Sequence, residues 1–198
     1  MATPDFYPFG DRIQPDHNGP GFEVRYNARF VTAMLYGFNL LALNTSDVIR
    51  LIDYLEKRED ADVERLGCIG VSYGGTVTHI STVMDSRIKK ATLCSSFGSY
   101  AGHGLWLDEL CGAQVIPGIL RLGDMAEVTG LIAPRPLLLE VSQNDPHFPW
   151  KYTAGELDRL KNIYRIFGCA QNLHIDVFQH GGHQYHGRMA KTFFDDLI

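Results

Sequence analysis

Apolar residues along this chain recur at two spacings, and each change of spacing marks an element. Residues 1–26 carry Pro4, Pro8, Gly10, Pro15, Gly19, Pro20 and Gly21 and read as loop and turn. From Asn27 onward, Phe30, Met34, Leu35, Phe38 and Leu41 return at helical steps and predict a first helix. Asn44-Thr45-Ser46 offers N-cap residues for a second, with Val48, Leu51, Ile52 and Leu55 as its stripe. Leu66 to Val71 is a short apolar run and predicts a buried strand, and Gly74-Gly75 opens a helix to about Met84. A strand over Lys90 to Ser95 follows, then an irregular stretch over 96–130 with Pro117-Gly118 as punctuation. Pro136 to Val141 predicts a third strand and His174 to Phe178 a fourth. Between them Leu157, Leu160, Ile163, Tyr164 and Phe167 mark a helix over Ala154 to Phe167, and Arg188 to Ile198 closes the chain as another.

Strands alternating with helices give an α/β class. Strands that are apolar throughout imply a mainly parallel sheet, of about four strands, with helices covering it. The 198 residues fit a single domain over 1–198, large enough to bury its own core. Net charge is −5 with no basic run, which argues against nucleic acid or an anionic membrane as partner. Mean hydropathy is −0.10, and no apolar run reaches membrane-spanning length. Met1-Ala2-Thr3-Pro4-Asp5 lacks the basic start and apolar stretch of a signal peptide. Cys68, Cys94, Cys111 and Cys169 are widely spaced and read as buried reduced thiols, which suits a cytoplasmic protein.

The sharpest motif is Gly70-Val71-Ser72-Tyr73-Gly74-Gly75. It fits G-x-S-x-G and lies between an apolar strand and a helix start, the context in which that pattern carries a nucleophilic serine. An abrupt strand-to-helix turn pushes the serine hydroxyl out of the sheet edge. It also sets the hydroxyl at a helix N-terminus, where N–H groups, Tyr73's first, favour a developing oxyanion. Gly70 and Gly74 are expected to avoid a collision across the turn. A serine nucleophile needs a base, and the base an orienting acid. Asp145, in Ser142-Gln143-Asn144-Asp145-Pro146, follows the third strand, and His183, in His180-Gly181-Gly182-His183, follows the fourth. Both stand just past strand C-termini, the edge where Ser72 also emerges. His180, His183 and His186 form H-x-x-H-x-x-H, but two glycines make this a loop and no second ligand cluster supports a metal. Phe97, Tyr100, Leu105, Trp106, Phe148, Trp150 and Tyr185 lie in loops beyond strand ends and are candidates for an apolar substrate pocket.

These motifs resemble the α/β-hydrolase superfamily, in particular its dienelactone hydrolase and acetyl xylan esterase branch. The matching pieces run through most of the chain: Pro4-Asp5-Phe6 with Phe9-Gly10-Asp11-Arg12, the Ser72 motif, Ile132-Ala133-Pro134-Arg135-Pro136-Leu137-Leu138, Asp145 with Phe148-Pro149, and Gly181-Gly182-His183. The resemblance implies Ser72 as nucleophile, Asp145 as acid and His183 as base, with no cofactor. It also implies earlier strands, and a His-Gly loop donating a second oxyanion N–H, ahead of Pro4-Asp5-Phe6. Met1 stands just before that motif, so the expectation is a shortened form of the fold. Gly98-Ser99-Tyr100 and the backbone of residues 7–12 are then the candidates for the second donor.

The function expected is a serine carboxylic ester hydrolase acting on small, short-chain esters through an acyl-enzyme. The alternative is a shortened relic, weakly active or inactive, that serves as a binding or assembly module. The strand at Leu66–Val71 is expected to lie at a bare edge, with Phe30, Met34 and Phe38 exposed nearby. Such an edge predicts a homodimer or higher oligomer through two-fold pairing, the alternative being that residues 1–26 fold back over the edge and keep a monomer.

Overall fold

The computed structural model describes residues 1–12, 22–102 and 111–195, with the backbone alone for residues 22–28. Its elements follow the α/β order expected. Helix α1 is Phe22–Leu35, α2 Leu40–Leu55, strand β1 Gly67–Val71, α3 Tyr73–Met84 and β2 Lys90–Cys94. Then come α4, Met125–Gly130, β3, Leu137–Ser142, α5, Trp150–Ile166, β4, Leu173–Phe178, and α6, Ala190–Phe194. The strands form one parallel sheet in the order β1-β2-β3-β4.

Several helix boundaries differ from the apolar pattern: α1 begins at Phe22, inside the segment expected to be loop, and α5 at Trp150 rather than Ala154. The stripe that reads as one helix through Leu41 is broken at Gly37, which takes φ +75° and ends α1. The Phe38 N–H closes that end on the Ala33 carbonyl at 2.8 Å. Asn39, not Asn44, then caps α2, its side chain accepting the Ala42 N–H. Helix α4 falls inside the stretch expected to be irregular. Its start is a capping box, Asp124 with Glu127, short enough to be outweighed by the surrounding glycines and prolines.

Register sets what each face of the sheet packs against. Leu137, Leu139 and Val141 of β3 join Ala91 and Leu93 of β2 in the main core, under α2, α3, α4 and α5. Leu138 points the other way and meets Ala190 and Phe193 of α6. Along that second face Ile69, Thr92, Leu138 and His174 stand in one row, and Val71, Cys94, Glu140 and Asp176 in the next. Helix α6 covers the β3–β4 end of these rows, where His174 packs edge-on against Phe193. At the β1 end Ile69 and Val71 remain 45% and 38% exposed. Among the described residues no strand pairs with the outer edge of β1. Met34 and Phe38 are exposed, and Phe30 is half-buried.

Arg135, from the Pro134-Arg135-Pro136 turn, closes the C-terminal end of α3. Its guanidinium donates to the carbonyls of Asp85 at 3.0 Å, Ile88 at 2.8 Å and Thr82. A cation on the last carbonyls of a helix offsets the negative end of its dipole. Among the described residues no helix is long and apolar enough to cross a membrane.

Midway along α3, His79 is buried with its Nε2 3.0 Å from Thr129 Oγ1 of α4. Burial lowers its pKa from 6.5 to about 4. Between those values the unfolded chain binds a proton that the folded chain refuses, so stability falls as pH drops from 6.5 toward 4. The span corresponds to at most about 3 kcal/mol. His79→Gln should lose part of its disadvantage to the wild type between pH 6.5 and 4, read by urea unfolding across that range. A difference that stays constant with pH would mean that the folded and unfolded chains bind the His79 proton equally.

Candidate active site

Strand β1 runs into α3 through one residue, Ser72, which sits at φ 54° and ψ −123°. Such backbone costs an L-residue about 1–3 kcal/mol and persists only where its surroundings hold it. The Ser72 N–H donates to the Cys94 carbonyl of β2 at 2.9 Å, and the Ser72 carbonyl accepts the Thr76 N–H at 3.0 Å. The turn is also tight. A Cβ at Gly70 would lie 2.1 Å from the Gly74 carbonyl oxygen, and one at Gly75 2.2 Å from Ser96 Oγ. At Gly74 a Cβ would meet nothing within 4 Å. Gly70 and Gly75, rather than Gly70 and Gly74, are therefore the positions where the turn requires glycine.

The loops after β3 and β4 bring the other two predicted residues to this serine. His183 Nε2 lies 2.7 Å from Ser72 Oγ. His183 Nδ1 lies 2.9 and 3.0 Å from the two carboxylate oxygens of Asp145. Asp145 is buried and also accepts the N–H groups of His147 at 2.9 Å and Phe148 at 3.2 Å. Burial pushes its carboxyl up, but the bond to His183, its charge and the two N–H donors together hold it below the ordinary carboxylate range. The His183 ring lies parallel to Phe148 at 6.1 Å and meets His147 edge-on at 4.7 Å. Tyr73 is the first residue of α3, beside Ser72.

Two clamps hold the loop that carries His183. Ser95 Oγ donates to the Gln184 carbonyl at 3.1 Å. Glu140, buried on β3, accepts the N–H groups of His186 at 3.3 Å and Gly187 at 3.1 Å. The signal for Glu140 in the sequence is a lone acid inside Leu-Leu-Leu-Glu-Val, where an isolated charge needs a buried partner. His147, against the His183 ring, had no pattern to reveal it.

The remaining predicted pocket residues separate. Phe97 and Tyr100 are enclosed in the main core, 1% and 3% exposed. Phe148 is buried against His183, Trp150 is half-buried against the core, and Tyr185 is exposed. Leu105 and Trp106 lie outside the described residues. His180 is exposed, while His186 stacks on Phe178 at 3.5 Å. Among the described residues no three His, Cys, Asp or Glu side chains gather as a metal site. Five of the N–H groups offered as a second oxyanion donor have other partners. Tyr7 N–H goes to Asn44, Phe9 to Phe6, Arg12 to Phe9, Gly98 to Met125 and Tyr100 to Asp124.

No protein-family model matches the chain. The glucuronoyl esterase of Solibacter usitatus superposes with a TM-score of 0.64 at 18% identity, over 81% of this chain and 48% of that one. Methylesterase BT1017 gives 0.61 at 23%, over 79% and 34%. The acylaminoacyl peptidase of Pyrococcus horikoshii gives 0.56 at 21%, over 73% and 24%. This chain has the α/β-hydrolase fold. Within that fold, Ser72, Asp145 and His183 all stand past strand C-termini at one sheet edge. In sequence, the putative hydrolase YtaP of Bacillus subtilis (strain 168) is 29% identical over 146 residues, covering 71% of this chain. The chain spans 48% of that relative's length.

The glycine contacts separate two substitutions that look alike in the motif. Gly70→Ala should destabilise the α/β-hydrolase fold by about 2 kcal/mol or more, because its neighbour is backbone that cannot step aside. Gly74→Ala, in open space on a helix, should fall within about 1 kcal/mol of wild type and on the stabilising side. Thermal unfolding of the two variants checks the order. Equal losses would contradict the packing described.

Proposed function

We propose that this protein is a serine ester hydrolase acting on small, short-chain carboxylic esters. The observation that carries the reading is the continuous line of contacts from Ser72 Oγ through the His183 ring to the buried Asp145 carboxylate. His183 Nε2 takes the Ser72 proton as the hydroxyl attacks the ester carbonyl. Asp145 fixes the tautomer with Nδ1 protonated and stabilises the imidazolium that forms. The Tyr73 N–H, at the start of α3, donates to the oxyanion. His183 then protonates the leaving alcohol and activates the water that releases the acid. Two of the structural relatives are named as esterases and the sequence relative as a putative hydrolase, which supports an ester-cleaving reading.

Ser72→Ala should abolish hydrolysis of a chromogenic short-chain ester and labelling by an organophosphonate, with the fold retained by circular dichroism. Labelling that persists would remove Ser72 from the mechanism, and a wild type inert toward esters would favour the binding-module alternative. Asp145→Asn should lower kcat by about 10⁴-fold through loss of tautomer control.

We also propose that a second copy of the chain pairs with the outer edge of β1. The edge, unpaired among the described residues and beside exposed Ile69 and Val71, supports this, since a two-fold axis lets the same edge pair with itself. Sedimentation at micromolar concentration should show a dimer, and Val71→Lys should dissociate it. A wild-type monomer of 22.2 kDa would overturn the pairing.

A further inference from the structure

The polar group most deeply enclosed beside the Ser72 turn is a side chain that the proposed mechanism does not use. Asn44 of α2 is 0% exposed. Its Oδ1 accepts the Tyr7 N–H at 2.9 Å, and its Nδ2 donates to the Tyr7 carbonyl at 2.9 Å. The same Nδ2 donates to the Tyr73 hydroxyl at 2.6 Å. Both amide hydrogens and the amide oxygen are thus committed to two partners distant in sequence.

Each partner is itself held. The Tyr73 ring meets Phe6 edge-on at 6.1 Å and lies tilted to Phe9 at 6.2 Å. Both phenylalanines belong to the segment whose backbone Asn44 grips at Tyr7. A second tie fixes that segment to α2 one turn further on, where Arg12 pairs with Asp47 at 2.6 Å. Asn44 therefore joins three pieces: helix α2, the Phe6–Phe9 segment and the residue that follows Ser72.

We infer that Asn44 is a positioning residue for catalysis, which sets the Tyr73 main chain through the Tyr73 hydroxyl. This rests on the ester hydrolase reading above. The Tyr73 side chain and main-chain N–H share one Cα. A ring pinned at its far end by a buried amide and flanked by two aromatic rings restricts how the first residue of α3 can rotate. Oxyanion donors act by being fixed in place before charge develops, so looseness there raises the barrier without weakening ground-state binding. The burial of Asn44 adds to the rigidity. A fully enclosed amide cannot exchange its partners for water without leaving polar groups unsatisfied.

The test separates positioning from plain stability. Tyr73→Phe removes the hydroxyl and leaves the Asn44 grip on Tyr7 intact, so it should fold. Its kcat on a short-chain chromogenic ester should fall about tenfold with KM within about twofold, the signature of an interaction made in the transition state. Asn44→Leu should lower kcat at least as far, and the two substitutions together should be less than additive. Organophosphonate labelling of Ser72, which needs the nucleophile and the oxyanion donor but no turnover, should slow by a similar factor in Tyr73→Phe. If Tyr73→Phe lowers the melting temperature while kcat and labelling rate stay at wild-type values, the contact is structural only and the inference is overturned. If wild type labels at Ser72 but turns over no ester, the ester hydrolase reading fails while the labelling rates still decide the role of Asn44. A wild type that does neither overturns both.

Discussion

The structure depends on a single strained residue. Ser72 at φ 54° turns a parallel strand into a helix with no loop between them. A turn of this kind exists only if neighbouring chains occupy the space and satisfy the hydrogen bonds that it leaves. Strand β2 does the latter, through the Cys94 carbonyl. Gly70 and Gly75 do the former by yielding room to the Gly74 carbonyl and the Ser96 side chain. The sheet and the turn are therefore mutually dependent. Pairing of β1 with β2 fixes the turn, and the turn delivers α3 onto the face where Val77 and Ile80 enter the core.

From that point the chemistry follows from geometry that the sheet sets. Four parallel strands end at one edge, so loops that follow different strands converge there. Asp145 arrives after β3 and His183 after β4, and each is held by more than its triad partner. Asp145 is held below the ordinary carboxylate range in spite of burial by its bond to His183, by that residue's charge and by two main-chain N–H groups. The His183 loop is tied down by Ser95 and Glu140, from the two strands it passes over. Glu140 and Asp176 stand side by side on β3 and β4, a repulsive pair in isolation. Arg188 relieves it by pairing with Asp176, while the His186 and Gly187 N–H groups occupy Glu140. The buried acids beneath the loop thus help to position the histidine above it.

The sheet is covered unequally. Helices α2, α3, α4 and α5 share one core with β1, β2 and β3, whereas α6 protects only the β3–β4 end of the opposite face. That inequality explains why the apolar Ile69 and Val71, which alternate correctly for a buried strand, stay exposed. Of the three site residues, Asp145 follows the inner strand β3, while Ser72 and His183 follow the two edge strands, β1 and β4.

Much of this was legible in the sequence because it is encoded at short range. The spacing of Leu, Ile and Val residues determined the strands and most helices, and glycine spacing around Ser72 determined the strand–turn–helix. Asp145 and His183 could be named because each follows a strand whose end the apolar pattern already marked. What sequence spacing could not decide depends on contacts between residues far apart along the chain. Asn44 reads locally as a helix cap, yet it lies inside α2 because Gly37 ends the preceding helix and Asn39 takes the capping role. Its side chain is then free to meet Tyr7 and Tyr73. Phe97 and Tyr100 come after the end of β2, as pocket residues would, but tertiary packing folds them into the core. The sequence determined which elements form and which residues carry reactive groups, since those follow from backbone preference and periodicity. The tertiary structure alone decided which polar groups satisfy one another, because a buried hydrogen bond is chosen by whichever partner the whole fold brings within reach.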